Sequence, residues 1–360
     1  MRGSLGVPRV FFLLWAWAIA WFPAIAQKAT PQNALTCSTC HVEAIGQSST
    51  LMNQALQVGS TNPSLQASPR LTFSKGGYTY RVETKTGRTV YQVSDGKQTI
   101  SLPIRWSFGA SAETWLFERN GKFYEGLVSY YPTIKALDIT IGDQEIVPKN
   151  LDEAVGRELA DGDVKACFGC HSTNAVNDGK LSLDRLKPGV TCEHCHLGAG
   201  THLRDVSQGK FDTHPPDLKK LSSEDISNFC GQCHRTWETV LRNRWIGVMN
   251  VRFQPYRLAN SKCFDGTDPR ISCVACHDPH ENVIRKDISY DGKCLACHGS
   301  KVQPAHPVAV STANATPKSC PVATSNCVSC HMPKVTLPGS HMVFTDHYIR
   351  IAKAGEPYPN

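Results

Sequence analysis

The pattern Cys-x-x-Cys-His occurs seven times in this 360-residue chain, and no other feature constrains its fold as strongly. We number the seven pentads in chain order. Two thiols three positions apart lie on one side of a helical turn, where both can form thioether bonds to one porphyrin while the adjoining imidazole ligates its iron. The pattern is typical of c-type haem attachment and predicts seven covalently bound haem c groups.

Each pentad supplies two kinds of residue to its predicted haem. The cysteines expected to bind haem covalently are Cys37, Cys40, Cys167, Cys170, Cys192, Cys195, Cys230, Cys233, Cys273, Cys276, Cys294, Cys297, Cys327 and Cys330. The expected proximal iron ligands are His41, His171, His196, His234, His277, His298 and His331. Zinc sites, thioredoxin-like redox motifs and disulfides also use Cys-x-x-Cys, but none of them needs a histidine after every second cysteine.

The amino terminus predicts export. Arg2 and Arg9 precede an apolar stretch that ends at Pro23. A small-residue cleavage signal follows and ends at Ala26. Because the stretch is short for a bilayer, we expect a signal peptide over residues 1–26, cleaved after Ala26, rather than a membrane anchor. The predicted location is therefore the periplasm or the extracellular space, which agrees with the compartment of c-type haem attachment in bacteria.

The formal net charge of +7 says little about binding partners. Cleavage of the signal peptide removes two arginines and leaves +5. Each haem adds roughly two negative propionate charges and, when oxidised, about one positive charge at the iron. Seven oxidised haems therefore bring the net charge to about −2. The basic composition is therefore no argument for a nucleic-acid partner, and we expect none.

Three regions follow the signal peptide. Residues 27–69 hold pentad one and a polar, proline-containing linker. Residues 70–148 contain no Cys and no His, so they form a domain without a haem of its own. Residues 149–360 carry the other six pentads, which from Cys167 to His331 occupy 165 residues, or about 28 per haem, too few for an ordinary side-chain core. We expect the haems to form the interior of this hexahaem cytochrome c domain, with short helices and loops around them.

The region without pentads is expected to be β structure. Tyr78, Tyr80 and Val82 alternate with polar residues, and turn dipeptides occur at 95–96 and 120–121, the second in the clearest hairpin. We predict five or six antiparallel strands in a small sandwich or half-barrel. The expected fold class is thus mixed: a loop-rich, mainly α, haem-packed region plus a small antiparallel β domain.

The sixth iron ligands are harder to identify. Seven histidines lie outside the predicted proximal positions, as many as there are predicted haems. His194, between the thiols of pentad three, either serves a neighbouring haem or is a surface residue. Met52 is the local candidate for pentad one, where thioether ligation would raise the potential. The candidate distal ligands are Met52, His202, His214, His280, His306, His341 and His347.

Two cysteines, Cys263 and Cys320, lie outside the pentads. In an oxidising compartment the simplest expectation is a mutual disulfide, which would stabilise the fold by roughly 3 to 4 kcal/mol. Metal ligation and a lipid anchor are the alternatives.

Four segments of the second half carry a family resemblance. They are the run from Gly189 to His202, Phe-Cys-Gly-Gln-Cys-His at Phe229, Cys-His-Asp-Pro-His at Cys276, and Cys-His-Met-Pro-Lys at Cys330 with Phe-Thr-Asp-His downstream. Over about residues 167–350 the chain resembles multihaem cytochromes c of the cytochrome c-554 group, whose wider superfamily includes hydroxylamine oxidoreductase and pentahaem nitrite reductase. The resemblance implies that His202 ligates a haem other than that of its own pentad. The family tends to place a distal His about a dozen residues after the first pentad, where this chain has Met52 and Asn53.

Two classes of function remain open. The first is an electron-transfer protein that is not an enzyme, with mostly bis-His haems passing electrons between redox protein partners, such as a quinol-linked membrane donor and an exported acceptor. The alternative is an oxidoreductase acting on a small nitrogen or sulfur compound at one open haem. Pentahaem nitrite reductases mark that haem with a Lys in place of the pentad His, and no pentad here has one. Self-assembly into a conducting filament is compatible with both.

The pentads yield a direct prediction of cofactor content. Intact-mass measurement of the protein exported by a host that matures c-type cytochromes should find a chain beginning at Gln27 with seven haem adducts. Replacing Cys37 and Cys40 by Ala should remove one adduct and leave six. A mass equal to that of the bare polypeptide would refute the haem assignment.

Overall fold

The computed structural model of the chain describes residues 35–299 and 320–360. The predicted signal peptide and the candidate ligand His306 lie outside the described residues. Within those two ranges, no helix combines the length and the hydropathy needed to cross a membrane.

Antiparallel strands form most of the region without pentads. In chain order they are β1 Leu56–Val58, β2 Arg70–Lys75, β3 Tyr78–Lys85, β4 Arg88–Ser94, β5 Thr99–Pro103, β6 Trp106–Phe108, β7 Thr114–Arg119, β8 Lys122–Gly126, β9 Val128–Tyr131, β10 Ala136–Ile139 and β11 Gly156–Glu158. Strands β2 to β5 form a four-stranded meander, β9 and β10 a hairpin, and β1, β6, β7, β8 and β11 a five-stranded sheet in that order. There are more strands than the five or six expected, and β1 and β11 extend the sheet beyond residues 70–148.

The hairpin expected at 120–121 is present between β7 and β8. Arg119 pairs with Lys122, which leaves a two-residue turn of Asn120 and Gly121. Both turn residues have positive φ, at +52° and +73°. Two-residue hairpins of this kind require positive φ at both positions, which explains the Asn-Gly pair.

Strand β7 separates two hydrophobic cores, because successive side chains of a strand point to opposite faces. Trp115 and Phe117 are buried in the larger core, with the aromatic residues of the meander. The Tyr91 and Phe117 rings stack there at 4.8 Å between centroids. Leu116 points the other way, into a second core shared with the pentad-two helix. The five-stranded sheet is therefore packed on both faces.

The second core attaches pentad two to the sheet. Phe168, which lies inside that pentad, is completely buried. Its ring meets Trp106, Phe108 and Phe123 edge-on at 5.2, 5.1 and 5.9 Å between centroids. Although the β region has no Cys or His of its own, it positions a predicted haem site.

Short helices carry the pentads. The α-helices are α1 Glu43–Gln47, α2 Pro63–Ala67, α3 Leu151–Val155, α4 Asp161–His171, α5 Cys192–Cys195, α6 Ala199–Ser207, α7 Ser223–His234, α8 Trp237–Arg242, α9 Gln254–Ala259, α10 Cys273–Cys276, α11 Asp291–His298 and α12 Cys327–His331. Pentads two, four and six end α4, α7 and α11, whereas pentads three, five and seven form the single turns α5, α10 and α12. Pentad one begins with the 3-10 turn Cys37–Thr39.

The second half contains few strands and little side-chain core. Its strands are the pairs β12 Ser172–Thr173 with β15 Lys187–Pro188, β13 Val176–Asn177 with β14 Lys180–Leu181, and β16 Lys334–Leu337 with β17 Met342–Thr345. The hydrophobic cluster of Val240, Phe253 and Tyr256 contains only these three buried residues. The haem-packed interior expected for this region remains a prediction.

The backbone before pentad three passes very close to the backbone after pentad one, at Gly189 and Asn53. Gly189 has φ +76°, and a Cβ there would lie 1.6 Å from the Asn53 carbonyl oxygen. Gly189→Ala should therefore lower the free energy of unfolding by about 1 kcal/mol for the strain of a left-handed alanine. Displacing the crowded backbone should lower it by about 1 to 3 kcal/mol more. Thermal unfolding of the purified protein measures the loss.

The matched control is Gly179→Ala. Gly179 also has a left-handed φ, at +70°, but nothing lies within 4 Å of the added Cβ. It should lose only the strain contribution, and equal losses for the two variants would contradict the close approach at Gly189.

Candidate haem sites

The predicted attachment groups all keep some exposure to solvent. None of the fourteen pentad cysteines and none of the seven pentad histidines is buried. Cysteine that serves no reactive or ligating role is usually among the most buried residues in a protein. The pentad side chains are therefore accessible to a group outside the side-chain core, as covalent haem attachment requires.

The ring nitrogens of five candidate ligands are arranged for metal binding. In each of them Nδ1 lies beside an acceptor oxygen and so carries the proton, which leaves Nε2 free for a metal. Nδ1 of His171 lies 2.9 Å from the Ala55 carbonyl oxygen, and Nδ1 of His280 lies 2.9 Å from the Asp278 carboxylate. Nδ1 of His331 and of His347 lies 3.0 Å from the carbonyl oxygens of Arg350 and Thr345, respectively. Nδ1 of His202 contacts the Thr213 carbonyl oxygen.

The separation of two axial imidazoles on one iron follows from bond lengths. With metal–nitrogen bonds of about 2.0 Å and ring bonds of about 1.33 Å, the two ring centroids are about 6.3 Å apart. Three pairs of histidines in this structure have that spacing, and each pair contains one pentad histidine.

His41 of pentad one faces His202, with ring centroids 6.5 Å apart. His202 lies in the first half of α6, which begins after Gly198 in the left-handed conformation. This geometry favours His202 over the local candidate Met52 as the sixth ligand of the first iron.

The second pair joins pentad three to the segment after pentad five. The His196 and His280 rings are 6.2 Å apart and nearly parallel, at 6°. His280 is held by Asp278, which accepts hydrogen bonds from both its backbone N–H and its ring at 2.9 Å. Burial lowers the pKa of His196, and the nearby His280 lowers it further, so its ring is neutral and able to ligate a metal near neutral pH.

The third pair joins pentad five to the segment after pentad seven. His277 and His347 are 6.2 Å apart. Burial, and then the neighbouring His277, lower the pKa of His347 to about 4, which keeps its ring neutral. The three distal rings thus follow one regularity: pentads one, three and five each face a histidine that comes after the pentad two places later in the chain.

A buried charge cluster holds His347 in place. The adjacent Asp346 receives two hydrogen bonds from Arg257, at 2.8 and 2.9 Å, and both side chains are completely buried. Arg350 adds a third hydrogen bond at 2.8 Å, and the Arg257 guanidinium also donates to the Pro359 carbonyl at 2.7 Å. Sequence reasoning missed this cluster, although the position of Asp346 next to a candidate ligand was a usable signal.

The other distal candidates have different surroundings. His341 uses Nε2 to contact the Asp138 carboxylate at 2.7 Å, the reverse of the arrangement above, and its ring packs on Tyr131. His214 is exposed beside His202, at 5.6 Å between ring centroids. Burial lowers the pKa of His194, which also interacts with the Ser172 backbone. These contacts favour structural roles, and the ligand assignments at His341 and His214 remain predictions.

The two cysteines outside the pentads are unpaired in the structure. Cys320 is exposed at the edge of the described residues. Cys263 is half-buried; burial raises the pKa of its thiol, and Cys294 and Cys297 add to the rise. The disulfide therefore remains a prediction. No group of three or more Cys, His, Asp or Glu in the described ranges is arranged to hold a metal ion.

Thiols of different pentads lie close together. Hydrogen bonding with Cys233 lowers the pKa of Cys170 to about 7, and the same contact raises that of Cys233. The Cys170 sulfur also lies 3.6 Å from the Gln232 carbonyl oxygen. Pentads two and four are therefore in contact.

Further thiol contacts join pentads one, three, four and five. Burial and the Cys37 thiol raise the pKa of Cys192, and burial and Cys230 raise that of Cys195. Hydrogen bonding with Cys273 raises the pKa of Cys230. Each shift needs the two thiols to be neighbours, so pentad three lies between one and four, and pentad four meets five.

Pentads five, six and seven continue the series. Burial raises the pKa of Cys276, and the nearby Cys294 of pentad six adds to the rise. Asp291, the first residue of α11, accepts hydrogen bonds from the backbone N–H groups of Asn326 and Cys327 at 2.7 and 2.9 Å. This carboxylate ties the pentad-six helix to the start of pentad seven.

The ring pairs predict which histidine completes the first site. In the haem-loaded protein, His202→Ala should convert one haem from low-spin to high-spin, because its iron loses an imidazole. Electron paramagnetic resonance of the oxidised protein and carbon monoxide binding to the reduced protein measure the change.

The neighbouring His214→Ala is the matched control and should leave the low-spin spectrum intact. If His214→Ala opens an iron and His202→Ala does not, the pairing of His41 with His202 is wrong.

Comparison with known proteins bears on one part of this arrangement. Residues 144–197, which include pentads two and three, match the family described as Cytochrome c554 and c-prime. No curated protein and no solved structure matches the chain. The match and the pentads together support a c-type cytochrome that binds haem c covalently and transfers electrons.

Proposed function

We propose that the chain is an exported heptahaem cytochrome that carries electrons along a continuous series of haems between redox partners. The observation that carries this proposal is the contact network of the pentads. Pentads one, three, four, five, six and seven follow one another through neighbouring thiols or a shared carboxylate, and pentad two adjoins pentad four.

Haem bound at these sites would supply one-electron oxidation and reduction at each iron. The chain contributes the spacing: because the thiols are the predicted attachment points, haems held at neighbouring thiols would be close to one another. Electron tunnelling weakens steeply with distance, so a series without gaps is what conduction over the whole molecule needs.

The axial pairs support a carrier over an enzyme at three of the sites. Two imidazoles on one iron leave no position for substrate, and the spacing of His41 with His202, His196 with His280, and His277 with His347 suits such closure. The β region holds pentad two through Phe168, and we propose that its outer sheet serves as a spacer or a partner-docking module.

Voltammetry of the haem-loaded protein on an electrode tests the carrier function. We expect reversible reduction of all haems, and no catalytic current when nitrite, hydroxylamine or sulfite is added. A sustained catalytic current with any of these compounds would contradict a pure carrier.

One observation favours an oxidoreductase as the second candidate. If the regularity of the three pairs extends to the even pentads, the fourth iron draws its ligand from the segment after pentad six, which contains His306. The second iron would draw on residues 235–272, and that segment contains no histidine. The second iron is therefore the best candidate for an open position.

Carbon monoxide titration distinguishes the two candidates. An open second iron predicts uptake of one carbon monoxide per reduced molecule, together with a catalytic current that carbon monoxide suppresses. No uptake would exclude an open iron and leave the carrier.

A further inference from the structure

Two arginines beside pentads two and four lack an acidic partner. Arg235 directly follows the pentad-four histidine, and Arg252 ends the 3-10 helix Val248–Arg252. Across the described ranges, neither arginine forms an ion pair. Both side chains are half-buried, and a buried polar atom without a partner on either of them needs an explanation.

Arg252 is the more constrained of the two. Its Nε is buried and has no hydrogen-bond partner. Burial lowers its pKa, and the positive charge of Arg235 lowers it further. Glu125 raises the pKa of Arg252, but its carboxylate already pairs with Arg157 at 2.5 Å. A buried guanidinium N–H without an acceptor is costly, which indicates that the side chain has a partner still to be identified.

The backbone of Arg235 has an unusual conformation. It has φ +68°, unusual for a residue with a side chain, because the chain reverses directly after α7. Thr236 then packs so closely on Gly231 that a Cβ there would lie 2.6 Å from the threonine methyl. Trp245 covers one side of the Arg235 guanidinium, with 5.4 Å from its central carbon to the ring centroid.

The location lies against both pentads. Arg235 directly follows His234, the last residue of α7 and of pentad four. Pentad two itself touches α7 through the contact of Cys170 with the Gln232 carbonyl oxygen. Arg235 is thus next to pentad four, which pentad two adjoins.

We propose that Arg235 and Arg252 together form a binding site for a carboxylate or small oxyanion beside pentads two and four. Guanidinium groups bind such anions through paired, charge-assisted hydrogen bonds. The inference rests on the proposed function, because each bound haem brings two propionates. The anion is either one of these propionates or a free oxyanion beside the second iron, and both have the same chemistry towards arginine.

Redox titration of the haem-loaded protein tests the site. Loss of a positive charge favours the ferric form, so Arg252→Gln should shift the oxidation equilibrium of at least one haem about tenfold, which is about 59 mV lower for a one-electron couple. Arg252→Lys should retain most of the wild-type potential. Arg242→Gln is the matched control, because Arg242 is exposed and pairs only with exposed Glu238, and it should leave the potentials unchanged.

Calorimetric titration with inorganic phosphate separates the two sources of the anion. A propionate already in the site predicts no phosphate binding to the wild type. A free oxyanion predicts phosphate binding that Arg252→Gln and Arg235→Gln both abolish, with potentials that depend on phosphate.

Haem content, measured by mass, distinguishes failure of this inference from failure of the proposed function. Missing haems in the wild type would refute the function itself. If Arg252→Gln does not fold, Arg235→Gln and Arg252→Lys carry the test. Folded variants with seven haems, unchanged potentials and unchanged phosphate binding would overturn the anion site.

Discussion

A Cys-x-x-Cys-His pentad supplies only one axial ligand to the haem it is predicted to bind, so closing the other face of that haem takes a residue from elsewhere in the chain. The three histidine pairs indicate how this protein meets that constraint. His202, His280 and His347 each come from a segment after a later pentad, so segments far apart in sequence have to interleave. This cross-ligation, rather than a hydrophobic core, is what we infer to hold the second half together.

The β region solves a different problem. Two ordinary cores, one on each face of the five-stranded sheet, give it the stability that the loop-rich half lacks. Through Phe168 the second core extends directly into pentad two. A conventionally packed domain thus anchors a part of the chain whose own side chains form little core, and it does so at the pentad that adjoins pentad four.

Buried polar groups specify geometry in the second half. The pair of Arg257 and Asp346 is fully buried, and replacing either partner alone would leave an uncompensated charge. The pair matters for orientation, because Asp346 directly precedes His347, whose ring lies opposite that of His277. Asp291 acts similarly between pentads six and seven. Where apolar packing is scarce, directional hydrogen bonds set the relative positions of the sites.

Local sequence was sufficient for features that depend on neighbouring residues. The pentad spacing predicts attachment within one helical turn, and Asn120-Gly121 predicts a two-residue hairpin because both positions need positive φ. The number of strands was underestimated because β1 and β11 are three-residue segments, each added to the sheet by pairing with a strand outside its own region.

The sequence by itself determined that the chain carries seven Cys-x-x-Cys-His pentads, and it predicts which residues tether haem, because attachment chemistry acts over five consecutive positions. Only the tertiary structure decided which distal histidine faces which pentad, which pentads touch, and that His341 turns to Asp138 instead. Those choices depend on contacts between residues up to two hundred positions apart, and the spacing of a motif carries no information about them.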